Sequence, residues 1–95
     1  MRRVVITGMG IYSCIGKNLQ EVLESLQEGK SGICLDERRG EFGYRSKLAG
    51  LVDEPDLKGK VDRKQRITLS EQAKYAFVAT EEAMEMANID LAFLE

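Results

Sequence analysis

The chain has no histidine, no tryptophan, a single proline and two cysteines in 95 residues. Without histidine it cannot by itself assemble a His-dependent triad, a Cys-His dyad or a His-ligated metal. Cys14 and Cys34 stand twenty positions apart, and two thiols without histidine do not make a zinc site. With no secretory context, both are expected to be reduced and structural. Val4–Thr7 is too short for the apolar core of a leader and runs straight into glycines. No run approaches a membrane-spanning length. The formal net charge of −2 is too small to make nucleic acid or membrane an overall partner. A cytoplasmic protein without metal or cofactor is the expectation. The apolar content of 43% is that of a globular chain. Its length fits one small domain or a piece of a larger one, with a thin core in either case.

What is present begins at once. Arg3–Met9 is an apolar, β-branched run, the pattern of a strand buried on both faces. It breaks into a loop marked by Gly8, Gly10 and Gly16, glycines expected to let the chain turn tightly. Asn18 offers an N-cap with Glu21 as its capping-box partner. Leu19, Val22, Leu23 and Leu26 then repeat at i, i+3, i+4 and i+7, predicting a helix over Leu19–Glu28 that ends at Gly29. The first unit reads strand, glycine loop, helix.

The middle is irregular, with a short strand predicted at Leu48–Val52 and a turn-rich loop at Glu54–Lys60. The last element is the clearest. Ala73, Ala76, Phe77, Thr80, Ala83, Met84 and Ala87 form one small-residue stripe on a helix of about five turns over Glu71–Ala87. Either Ser70 caps it or a turn from Asp62 joins it, and Asn88 is suited to end it. A further helix start is expected at Asp90, leading into Leu91-Ala92-Phe93-Leu94. No repeat or low-complexity tract is evident.

Charge is segregated. Lys58–Arg66 holds five bases (Lys58, Lys60, Arg63, Lys64 and Arg66) against Asp62, whereas residues 71–95 hold six acids against Lys74. Such runs are commonly solvated surface. The sharper reading of the basic segment is a landing site for an acidic partner.

Two motifs bear on chemistry. The dinucleotide fingerprint G-x-G-x-x-G is met by Gly8 and Gly10 but broken by Ser13, and Asp36 and Glu37 follow no recognisable strand. A phosphate-binding P-loop fails as well, because Gly16-Lys17 is followed by Asn18. Cys14 as a nucleophile would need a base or an electropositive pocket, and Lys17 is the only nearby cation in sequence.

Arg3-Val4-Val5-Ile6-Thr7-Gly8-Met9-Gly10-Ile11, with Ser13 and Gly16, resembles the opening of the β-ketoacyl-acyl-carrier-protein synthases, condensing enzymes of fatty acid synthesis. Glu28–Ile33, Arg45-Ser46, Asp62-Arg63-Lys64 and Tyr75-Ala76-Phe77 continue the resemblance in order, closest to the synthase I type, to about Ile89. It implies an α/β chain: the N-terminal portion of a thiolase-like layered α/β/α/β/α fold, of which residues 1–95 form a segment rather than an independent domain. It also implies a homodimeric parent enzyme. The reaction implied is a decarboxylative Claisen condensation, as in fatty acid or polyketide elongation. The family's nucleophilic cysteine and two histidines lie beyond a segment like this one, so no catalytic residue is assigned here and the segment alone is expected to be inactive. The resemblance further implies that Arg63 and Lys64 contact the acidic acyl carrier protein, and Arg66 is a third carrier-binding candidate that matches less closely: it lies one position before the family's further arginine, and Ile67 fills the matching place. On a helix that shift is about 100° around the axis. A non-catalytic partner subunit and a nucleotide-binding domain stay as rival readings.

Overall fold

A computed structural model describes residues 1–90 and 92. The element order is α1 (Leu19–Glu28), β1 (Ile33–Leu35), α2 (Glu37–Glu41), β2 (Leu48–Gly50), α3 (Arg63–Thr68) and α4 (Glu71–Ala87). The chain divides into two compact units, residues 1–12 with 54–95, and residues 13–53.

In the second unit, Asn18 caps α1 by accepting from the Glu21 N–H at 2.9 Å. The reciprocal bond differs from the expected one. The Asn18 side-chain amide, not its backbone N–H, donates to Glu21 Oε2 at 3.0 Å. Gly29 ends the helix at φ 70°, a left-handed conformation that costs glycine nothing. The buried face of α1 is narrower than its apolar stripe. Val22 and Ser25 are buried, whereas Leu23 and Leu26 are exposed. Ser25 turns inward because its Oγ donates to the Ile15 carbonyl at 2.6 Å, tying the helix to the turn before it. That turn is a Ser13–Gly16 bridge, with Ser13 N–H donating to the Gly16 carbonyl at 2.8 Å.

A two-stranded antiparallel ladder follows, with Ile33 opposite Gly50, Cys34 opposite Ala49 and Leu35 opposite Leu48. The strand expected over Leu48–Val52 is shorter, ending at Gly50. Its partner, Ile33–Leu35, carries no sequence signal beyond Ile33 and Leu35 alternating around Cys34. A strand therefore does precede Asp36, against expectation. Asp36, however, caps α2 through the Arg38 N–H.

In the first unit, α4 occupies the predicted span. Ser70 Oγ caps it through the Ala73 N–H at 3.2 Å, and Asn88 closes it at φ 59°. Of the two starts considered, the Ser70 cap holds: Leu69, at ψ 132°, breaks the chain between α3 and α4. The helix start expected at Asp90 leads into Leu91, Phe93 and Leu94, which lie outside the described residues.

The N-terminal run lies against α4 but is not a strand, because no ladder partner reaches it among the described residues. Val4 and Ile6 are 94% and 89% exposed, which corrects the expectation of burial on both faces. Its contact with α4 comes later, at Gly8–Tyr12. Ile11 N–H donates to Glu82 Oε1 at 3.1 Å, and Tyr12 stacks on Tyr75 with ring centroids 5.5 Å apart. The line of contact therefore runs along Tyr75, Ala79, Glu82 and Ala83. Ala76 and Thr80, expected in the buried stripe, are exposed.

Gly8, Gly10 and Gly16 have a different role from the tight turning expected of them. None has positive φ, unlike Gly29, Gly43 and Gly59. Gly8 and Gly10 are needed for close approach: a Cβ at Gly8 would strike the Ala83 carbonyl oxygen, and one at Gly10 the Ala79 carbonyl oxygen. Gly16 is pressed on α1, where a Cβ would come 2.6 Å from the Val22 nitrogen.

Candidate docking site

The basic segment takes its shape from Asp62. In the extended conformation at φ −69° and ψ 158°, Asp62 caps α3 by accepting from the Lys64 N–H at 2.7 Å and from the Gln65 N–H at 3.5 Å. That fixes the facing of the six residues that follow. Arg63, Arg66 and Ile67 stand at i, i+3 and i+4, on one side. They line a cavity of about 460 Å³ with the loop Glu54–Lys58, Leu69 and Lys74.

The floor of this region is Leu57, only 3% exposed. Sequence patterning missed it, since a lone leucine in a charged, turn-rich loop has no periodicity to mark it. The loop is held to α4 by two ion pairs. Lys60 Nζ lies 3.0 Å from Glu81 Oε2, and Lys74 Nζ bonds Glu54 Oε1. Pairs twenty or so residues apart leave no pattern in the sequence.

The three predicted site residues are not placed together. Arg63 and Arg66 share the cavity, whereas Lys64 is exposed and lies off it. Arg66 is half-buried, and its Nε is buried without a hydrogen-bond partner. Ile67, in the place where the resemblance expects an arginine, is 74% exposed. Both Arg66 and Ile67 line the cavity, so the one-residue shift exchanges a cation for an apolar side chain at the family's position without moving the charge off this wall.

The two ion pairs give the loop a pH dependence of defined sign. The Lys74 ammonium, by hydrogen bond first and by charge second, holds the Glu54 carboxyl below the usual carboxylate range. A lowered folded pKa contributes stability above the unfolded value, lost as pH falls through the folded one. Acidification below about pH 4.3, the ordinary glutamate value, should therefore release the loop from Lys74. The Lys60 ammonium is pushed upward by its hydrogen bond to Glu81 and by that carboxylate's charge. Its contribution is complete below the ordinary lysine value of about 10.4 and fades as pH rises beyond it. Carboxyl NMR titration should show Glu54 titrating low in the wild type and returning toward the ordinary value in Lys74→Met; identical titrations would contradict the pairing.

Cys14 has no place in this site. A Cβ at Gly32 would lie 2.6 Å from its Sγ and one at Gly50 3.0 Å, so the thiol packs against two glycines of the second unit. Both cysteines are free.

The beta-ketoacyl synthase N-terminal domain model matches residues 1–95. The chain belongs to the β-ketoacyl synthase family. Among curated relatives it is 45% identical over 89 residues to 3-oxoacyl-[acyl-carrier-protein] synthase 1 of Escherichia coli K12, covering 94% of this chain and 22% of the relative. The protein of the same name from Haemophilus influenzae is 43% identical over 89 residues, again 94% and 22% of the two chains. That from Buchnera aphidicola subsp. Acyrthosiphon pisum is 40% identical over 95 residues, 100% of this chain and 23% of the relative. The chain thus spans about a fifth of the length of these relatives.

Proposed function

We propose that the chain is the N-terminal segment of a 3-oxoacyl-acyl-carrier-protein synthase and supplies scaffold and carrier docking to a condensing enzyme. The observation that carries this reading is the match of the whole chain to the N-terminal domain of the family. In the reaction, an acyl group passes from the carrier thioester to an enzyme cysteine, releasing the carrier thiol. The C–C bond to the carboxylate of a malonyl thioester then breaks and carbon dioxide leaves. The electron pair left behind attacks the acyl carbonyl, and the cysteine thiolate departs. This needs an activated thiolate and donors aimed at the enolate oxygen. No histidine is present to activate a thiol, so in this reading those groups stand elsewhere in the protein.

The segment's own part is structural and electrostatic. Residues Arg3–Met9 serve as a strand of the central sheet of a thiolase-like fold, and their exposed, unpaired Val4–Ile6 supports that assignment. Helix α4 covers this strand. Arg63 and Lys64 receive the acidic carrier protein. The enzyme works as a homodimer in the cytoplasm. Given acyl- and malonyl-carrier thioesters, the intact protein should release carbon dioxide and form the 3-oxoacyl carrier. Failure to form product from any acyl chain length overturns the enzymatic reading.

A further inference from the structure

We draw no further inference here: the strongest candidate, the apolar surface patch that Leu23 and Leu26 leave exposed on helix α1, carries nothing because no feature of the structure shows what covers it.

Discussion

Gly10→Ala should destabilise the protein by about 3 kcal/mol, and Gly10→Val by more, measured by denaturant unfolding of the intact protein. A single methyl is rarely so costly. Here the added Cβ would strike the Ala79 carbonyl oxygen and come 2.8 Å from its carbon, and Glu82 Cβ lies 3.0 Å away. Those are mostly backbone atoms in the middle of α4, which cannot rotate aside as a side chain would. The N-terminal run must lift off instead. Lifting it breaks the Ile11–Glu82 hydrogen bond and the Tyr12–Tyr75 stack together. The Ile11 amide should then lose its protection from hydrogen exchange. Gly40→Ala provides the contrast. Gly40 lies within α2, and its added Cβ would meet mainly the flexible end of Lys47. Because alanine also favours helix over glycine, that change should be within about 0.5 kcal/mol of neutral or stabilising. Equal effects from the two substitutions would show that close approach is not what fixes Gly10.

Reversing Arg63 and Lys64 to Glu together should weaken carrier-protein binding about a hundredfold at low salt, and by much less near 1 M. The change is four charge units on a short helix whose first-turn acceptor, Asp62, already commits its carboxylate to backbone N–H groups. Both side chains are exposed, so the loss should fall mainly on the association rate. Isothermal titration or surface plasmon resonance across a salt series reads it directly. Unchanged binding at low salt would remove this helix from the docking surface.

The elements most legible in the sequence were those fixed by local chemistry. Asn18, Ser70 and Asn88 cap or end helices because a side-chain oxygen or a left-handed backbone satisfies orphaned groups within a few residues. Helix spans followed from those signals. Faces were less legible, because they depend on what arrives from far along the chain. Ala76 and Thr80 belong to a sound small-residue stripe, but Tyr12 and Gly10 meet α4 along Tyr75 and Ala79 instead. The β-branched run at Val4–Ile6 has strand chemistry without a strand, since a ladder needs a neighbour that local sequence cannot supply. At the proposed docking site, the position of Arg66 showed that its charge would point elsewhere than the family's arginine, and its burial came from the structure. Leu57 and the Glu54–Lys74 pair, which shape the cavity, carry no pattern at all.

The most direct measurement is to mix the intact protein with an acyl-carrier thioester, trap the acyl-enzyme and locate the acyl group by peptide mass spectrometry. The acylated cysteine should lie outside residues 1–95, and Cys14→Ser/Cys34→Ser should acylate as wild type does. An acyl group on Cys14 or Cys34 would contradict a scaffold whose reactive thiol is housed elsewhere.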